Sequence, residues 1–169
     1  MSAPPVIFVA LGANLGDPAA MLRDALHALH AVSSAPVVAS SLWTSTPVDC
    51  PPGSPPFVNA VARIAGRTGE TPGSLLDALQ AMERGAGRRP KAVLNEPRPL
   101  DLDLLAWDAL LLDTPRLVLP HPRAHLRRFV LAPWAEIAPG FVVPGTGRTV
   151  GEHLAMLDSN EALERLPAT

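Results

Sequence analysis

The sequence predicts an α+β fold of the ferredoxin-like type, in which a split βαβ sandwich builds a mainly antiparallel sheet with helices packed on one face. The predicted elements run strand–helix–strand–strand–helix–strand, followed by extra C-terminal elements. A doubly wound parallel sheet would need stricter alternation of strands and helices. A length of 169 residues with 47% hydrophobic residues indicates one globular domain, residues 1–169, that can bury a core.

Hydrophobic periodicity and capping residues place the individual elements. Asp17-Pro18 and Thr71-Pro72 each predict a helix start, because Asp or Thr caps a helix and proline fits its first position. Thr149 predicts a further cap near the C-terminus. The predicted strands are 6–11, 37–43, 57–64 and one around 101–103 with a hairpin partner near 110–112, and the predicted helices are 18–32, 72–85, 129–137 and 150–157.

Three segments between these elements are rich in glycine, proline or charge. Residues 12–16 predict a turn, whose glycine also allows a flat ligand to approach the backbone. Residues 44–56 contain six prolines and glycines, which predicts an irregular loop. Residues 84–97 form a long polar segment of the kind that often serves as a lid.

Charge and cysteine content exclude several functional classes. The formal net charge of −2 argues against a general nucleic-acid binder, yet nine of the 14 Lys and Arg residues fall between Arg84 and Arg128. Such a local cationic surface suits a compact anion such as a nucleotide. The single cysteine, Cys50, allows no internal disulfide and no cysteine-based zinc site. Without a signal-like or membrane-spanning segment, the expected location is cytoplasmic.

A pair of aspartates is the most informative local pattern. The segment from Arg98 to Leu105 reads RPLDLDLL, so Asp101 and Asp103 alternate with leucines at the period of a strand. Residues i and i+2 of a strand share a face, about 6.5–7 Å apart. Two carboxylates this close repel each other unless a cation lies between them, and Mg²⁺ with substrate phosphates would supply one. An edge strand with one solvated face remains the alternative for an isolated Asp-x-Asp.

Two further polar residues have both a functional and a structural interpretation. Asn59 lies mid-strand among apolar residues, and its amide could read the edge of a pterin or purine or bond to the proline-rich loop. His121 lies between two prolines, where it could donate to a phosphate or tie down the backbone. The surrounding arginines suit phosphate oxygens, although each alone could be a solvated surface charge.

Four segments together resemble the 6-hydroxymethyl-7,8-dihydropterin pyrophosphokinase family, over about Val6 to Val143. This family transfers pyrophosphate from ATP to the pterin in folate biosynthesis, releasing AMP. The segments are 11–16 (LGANLG), 45–48 (STPV) with 57–59 (FVN), 97–104 (PRPLDLDL), and 119–122 (LPHP) with 127–129 (RRF). The Arg-x-Leu-Asp-Leu-Asp run followed by Pro-His is the specific part of the match.

The resemblance implies a role for each matching position. Asp101 and Asp103 would ligate two Mg²⁺ ions, and with Arg88 and Arg98 they would form the catalytic set. The pterin would contact Ser45, Pro47, Val48, Phe57, Asn59 and Phe129, with the two phenylalanines sandwiching its ring. ATP would contact Glu83, Arg88, Lys91, Arg98, Leu104, Arg116, His121 and Arg127. The implied partners are these small molecules, without nucleic acid or membrane, and the implied state is a monomer.

Two departures from the family pattern lie in the predicted lid. Pro90 stands where a second basic residue is common, and Asn95 stands where some members have an aromatic residue. Two other functions stay open on the residues alone. One is a different metal-dependent nucleotidyl- or phosphotransferase that uses the aspartate pair. The other is a non-catalytic ferredoxin-like binding module.

Overall fold

The computed structural model describes residues 3–45, 53, 55–87, 99–159 and 161–167. Within these ranges a six-stranded antiparallel sheet forms the centre of the molecule. The strands are β1 (Val6–Ala13), β2 (Val38–Ala39), β3 (Trp43–Ser45), β4 (Phe57–Ala65), β5 (Asp101–Trp107), β6 (Leu112–Asp113), β7 (Val118–Leu119), β8 (Val142–Val143), β9 (Arg148–Thr149) and β10 (Leu163–Arg165). The helices are α1 (Pro18–Ala28), α2 (Pro72–Gly85), α3 (Arg128–Ile137) and α4 (Val150–Met156).

The strand order of the main sheet is β10-β3-β4-β1-β5, and β2 pairs with β4 just before β3. The connection through α1 passes over β4, and the connection through α2 passes over β1. These two crossovers are the split βαβ units of a ferredoxin-like sheet. The predicted α+β fold class is therefore confirmed.

Helices α1 and α2 cover one face of the sheet. Their apolar side chains, including Leu22 and Leu79, pack on alternate residues of the central strands. The predicted caps are present: the Asp17 carboxylate accepts the Ala20 N–H at 3.1 Å, and Thr71 forms a capping box with Ser74. Each cap pairs a donor that the first helical turn would otherwise leave without a partner.

Helix α3 covers the opposite face and α4 packs on α3, so the expectation of helices on one face accounts for only half of the architecture. Trp134 of α3 is fully buried against Phe8 of β1, with 5.5 Å between ring centroids, and Phe141 joins the same cluster. Thr149 caps α4 in a capping box with Glu152, as predicted. None of the helices in the described ranges has the length and apolar composition needed to cross a membrane.

Three local predictions are wrong. Gly12 belongs to β1 rather than to a turn. The segment 37–43 is not one strand, because the Ser40 hydroxyl accepts the Val61 N–H and separates β2 from β3. Residues 110–112 do not pair with β5, because Leu112 and Asp113 form β6, which pairs with β7 instead.

Candidate active site

The two aspartates lie at the start of β5 on the α3 side of the sheet. Leu102 and Leu104 point the other way and are buried in the core beside α1 and α2. Asp101 and Asp103 are half-buried, and neither is without an interaction partner in the protein. The alternation read from the sequence therefore places both carboxylates on one face, next to each other.

Small residues of β1 lie beside both aspartates. Asp101 is paired with Gly12 and Asp103 with Ala10. On the other side of β1, Gly12 is paired with Asn59 of β4. Because neighbouring strands are about 4.8 Å apart, Asn59 and Asp101 flank Gly12 with roughly 10 Å between their strands. The missing side chain at Gly12 leaves an open floor between the amide and the carboxylate.

The amide of Asn59 is held by a buried hydrogen bond. Its Nδ2 donates to Ser45 Oγ at 2.7 Å, and both residues are 4% exposed. A Cβ on Gly12 would lie 3.4 Å from Asn59 Oδ1, so the amide packs directly over the glycine. Of the two interpretations of Asn59, the structural one is confirmed, because its partner Ser45 lies in the segment 44–56 that was predicted as the proline-rich loop, although residues 44 and 45 belong to β3. Contact of Asn59 with a pterin stays a prediction.

His121 follows β7 and faces the aspartate strand. Its backbone N–H donates to the Leu105 carbonyl at 2.8 Å, and its Nδ1 accepts the Arg123 N–H at 3.1 Å. Burial lowers its pKa to about 4, helped by the positive charges of Arg127 and Arg123 and opposed by Asp101. The imidazole is therefore neutral near pH 7, and because Nδ1 accepts, Nε2 carries the proton and can donate.

Two phenylalanines and an arginine complete the described part of this region. Phe57 begins β4 opposite Ser45, and Phe129 lies in the first turn of α3; both are half-buried. The Arg127 guanidinium lies 5.6 Å from the centroid of the Phe129 ring, which is within cation–π range. The positive charge of Arg127 therefore acts on the Phe129 ring, and it also lowers the pKa of His121.

Three residues that were expected to contact ATP interact with other parts of the protein in the structure. Glu83 is 8% exposed, and its carboxylate accepts the Leu102 N–H at 2.8 Å, between the two aspartates of β5. The Leu104 side chain is buried in the core, so its backbone is what could reach a ligand. Arg116 pairs with Asp77 of α2, and both side chains are more than half exposed.

Five expected site residues, and most of the predicted lid, lie outside the described residues. These residues are Pro47, Val48, Arg88, Lys91 and Arg98. In the described part of the chain, no group of three or more His, Cys, Asp or Glu side chains could hold a metal ion. Asp101 and Asp103 are thus a two-carboxylate donor set, which suits a hard cation whose other ligands come from phosphates and water.

Sequence reasoning missed Ala10, and it named Arg123 only as one of several basic residues that suit phosphate, not as the residue whose backbone orients His121. Arg123 orients His121 through its backbone, which leaves no pattern in the sequence. Ala10 and Gly12 do leave one, because they alternate with Val9, Leu11 and Ala13 and so form a narrow stripe on one face of β1. A stripe of small residues next to charged ones is typical of a sheet that a ligand approaches closely.

Comparison with known proteins fits this geometry. The sequence model of the 7,8-dihydro-6-hydroxymethylpterin-pyrophosphokinase family matches residues 8–139. A 2-amino-4-hydroxy-6-hydroxymethyldihydropteridine pyrophosphokinase of Pseudomonas aeruginosa is 43% identical over 162 residues, covering 95% of this chain and 96% of the relative. A Bacillus subtilis protein of the same name is 37% identical over 133 residues, covering 78% and 77%.

A solved HPPK-DHPS structure in complex with substrates superposes with a TM-score of 0.72 at 10% identity, covering 91% of this chain and 43% of that one. At this identity the likeness supports the fold alone, and this chain spans less than half of the larger protein. The class defined by fold and sequence is that of the small α+β pyrophosphokinases. The chain belongs to the 7,8-dihydro-6-hydroxymethylpterin-pyrophosphokinase family, whose activity is pyrophosphoryl transfer in folate biosynthesis.

Proposed function

We propose that this chain transfers the pyrophosphoryl group of ATP to 6-hydroxymethyl-7,8-dihydropterin, with Mg²⁺ bound at Asp101 and Asp103. One observation carries the proposal: Asn59, Gly12 and Asp101 are neighbours across three strands. In this row, an amide that would pair with the edge of a heterocycle lies at one end of the open floor, and a carboxylate that would bind a cation lies at the other. A simple solvated face would not explain why the small residues lie between them.

The pterin would lie over Gly12 with its polar edge at Asn59. Because Nδ2 of Asn59 is bonded to Ser45, the amide is fixed in one orientation before substrate arrives. This fixed orientation lowers the entropy cost of binding. Phe57 and Phe129 would stack on the ring faces, and Pro47 and Val48 would complete the pocket. The hydroxymethyl group would then point toward the aspartates.

ATP would bind on the aspartate side of the floor. Asp101 and Asp103 would hold Mg²⁺, which neutralises phosphate charge and orients the attacking and leaving oxygens of an in-line displacement. Neutral His121 would donate its Nε2–H to a phosphate oxygen, and Arg127 would supply positive charge beside it. Glu83, Arg88, Lys91, Arg98 and Arg116 are proposed as further ATP contacts, and reaching a phosphate would require Arg116 to leave Asp77.

The reaction exchanges one phosphorus–oxygen bond for another. The hydroxymethyl oxygen bonds to the β-phosphorus of ATP while the bond from that phosphorus to the α–β bridging oxygen breaks, so AMP leaves and the hydroxyl proton passes to solvent. Such a transfer depends mostly on positioning and charge neutralisation, and it needs no strong base. The neighbouring His121 is consistent with a reaction that needs no strong base, because its Nδ1 already accepts a hydrogen bond from the Arg123 N–H. We further propose a single-domain, monomeric, cytoplasmic enzyme.

A turnover assay with ATP, Mg²⁺ and the pterin, resolving AMP from ADP, tests the proposal. AMP formed in step with pterin diphosphate supports it, whereas ADP would indicate a simple kinase. Asp101→Asn should lower kcat/KM by at least about 100-fold, the order of effect for loss of one charge-stabilising group, without unfolding the protein. Asp113→Asn, at an exposed aspartate of β6, is the matched control. Full activity of Asp101→Asn would remove the metal role.

A further inference from the structure

A groove on the α3 side of the sheet lies beside the candidate active site but is not used by it. It has a volume of about 490 Å³, within the range of small-molecule sites. Helices α3 and α4 line it together with β3 and β10. The proposed reaction leaves this groove without a role.

The lining of the groove is about equally polar and apolar, and its apolar part lies on two helices and one strand. Helix α3 contributes Ala132 and Ala135, which lie on one helical face and leave the space open because neither has a long side chain. Leu154, Leu157 and Leu163 supply the apolar walls from α4, the residue after it, and β10. A ligand with an apolar body of a few ring or chain atoms could bury it here.

The charged groups of the groove are two arginines and one glutamate. The Glu136 carboxylate accepts the Ser41 N–H at 3.0 Å, the Ser41 hydroxyl at 2.6 Å and the Trp43 indole N–H at 3.1 Å. These three donors hold the carboxylate beside β3, where it lines the groove and interacts electrostatically with Arg165. The lining therefore carries two positive charges and one negative charge, a net charge of +1.

The two guanidinium groups are placed to meet an anion. Arg165 lies over the Trp43 ring, 5.3 Å from its centroid, which fixes its position at one side of the groove. Arg128 is exposed at the start of α3, and among the described residues no carboxylate lies within ion-pair distance of it. A guanidinium fork matches a carboxylate in geometry as well as in charge.

We propose that this groove is a binding site for a small organic monoanion that joins one carboxylate to an apolar body. The five apolar side chains bind the body, and Arg128 and Arg165 bind the carboxylate. The net charge of +1 favours a monoanion. An inorganic phosphate would leave the apolar walls unused, and a neutral apolar molecule would leave the arginines unused.

The groove is close to the candidate active site without overlapping it. Trp43 lies two residues before Ser45 on β3, and Arg128 directly precedes Phe129 on α3. The two sites thus share a strand and a helix, although different residues line them. The proposal goes beyond the proposed function and does not depend on it.

Titration of the full chain with 3-phenylpropionate, followed by two-dimensional amide NMR, tests the proposal. We expect saturable shifts at the Trp43 indole and at the amides of Ala132, Ala135 and Leu157. Its neutral analogue, 3-phenylpropionamide, should bind about tenfold more weakly, because it lacks the charge-assisted bonds to arginine. Equal affinity for the two compounds, or shifts centred on Phe57 and Phe129 instead, would overturn the proposal.

Single substitutions distinguish a built site from an apolar crevice. Arg165→Gln and Arg128→Gln should each weaken 3-phenylpropionate binding about tenfold and leave binding of the amide unchanged. Arg165→Lys should keep part of the affinity, since it retains the charge but not the fork. Arg23→Gln, at an exposed arginine of α1, is the control and should bind as the unmodified chain does. Unchanged carboxylate affinity in both glutamine variants would refute the arginine role, and each variant is checked for folding by its amide spectrum.

Discussion

The hydrogen bond between Ser45 and Asn59 offers the most direct test of whether the Asn59 amide recognises the pterin. Replacing Ser45 with alanine removes the oxygen that accepts Asn59 Nδ2 at 2.7 Å. The amide could then rotate and present its donor and acceptor in exchanged positions. A ligand that pairs with one fixed orientation would lose that complementarity.

Burial sets the magnitude of the effect. Both residues are 4% exposed, so water does not readily replace the lost acceptor. Leaving a buried donor without a partner costs about 1–3 kcal/mol of the unfolding free energy. If about 1–2 kcal/mol of orientation is lost from the bound state, KM for the pterin rises about 5- to 30-fold. KM for ATP should change little, because none of the proposed ATP contacts belongs to β3 or β4.

Steady-state kinetics with each substrate varied in turn, together with urea denaturation, measures both effects. Ser40→Ala is the matched control, because Ser40 is also buried and its hydroxyl accepts the Val61 N–H, away from Asn59. It should lower stability but leave KM for the pterin unchanged. If Ser45→Ala loses stability with no change in KM for the pterin, the pair is structural and the proposed role of Asn59 is wrong.

Three further predictions concern the surroundings of the site. Glu83→Ala should lower the unfolding free energy by about 1–3 kcal/mol in urea denaturation, because the Leu102 N–H loses its acceptor, and Glu83→Gln should recover most of the loss because its amide oxygen can still accept. Gly12→Val should lower kcat/KM about 10- to 100-fold, since the valine side chain fills the floor beside Asn59, and stability is measured alongside because its Cβ would lie 3.4 Å from Asn59 Oδ1; full activity of the folded variant would mean that no ligand lies there. Burial acts to raise the pKa of Glu136, but hydrogen bonds from Ser41 and Trp43 outweigh it and hold that pKa below its ordinary value of 4.5. Its contribution to stability is therefore complete above pH 4.5 and is lost as the pH falls below it, so the stability difference between the unmodified chain and Glu136→Gln should shrink at low pH; a constant difference would contradict this.

Local patterns in the sequence were sufficient for elements whose cause is local. The alternation from Leu100 to Leu105 predicts β5 and the face of its aspartates. The caps at Asp17, Thr71 and Thr149 predict three helix starts, because a cap is a contact between residues three apart. These predictions need no knowledge of the rest of the chain.

The sequence contains a sign that helices cover both faces of the sheet, although the expected fold placed helices on one face only. The run from Ile7 to Leu11 is apolar at every position rather than at every second one. A strand with this composition is buried on both sides. Phe8 contacts Trp134 of α3, whereas Ile7 and Val9 pack in the core beside α1 and α2.

Other features depend on distant contacts and left no local pattern. The break between β2 and β3 arises because the Ser40 side chain takes a position in the ladder opposite Val61. Strand β10 has three residues and becomes a strand by pairing with β3. Its conformation follows from the partner rather than from its own sequence, which is usual for short edge strands.

The candidate site is set by the register of three strands that are distant in the chain. Asn59, Gly12 and Asp101 are neighbours because the register of β1 pairs Gly12 with Asn59 of β4 on one side and with Asp101 of β5 on the other. A slip of one residue in β5 would turn both aspartates into the core and bring Leu102 to the site. The buried leucines of β5 and the hydrogen bond from the Leu102 N–H to Glu83 oppose such a slip, since each stabilises the observed register. Core packing on the α2 side of the sheet thus determines which side chains the ligand side presents, and substitutions there should affect activity without touching a ligand.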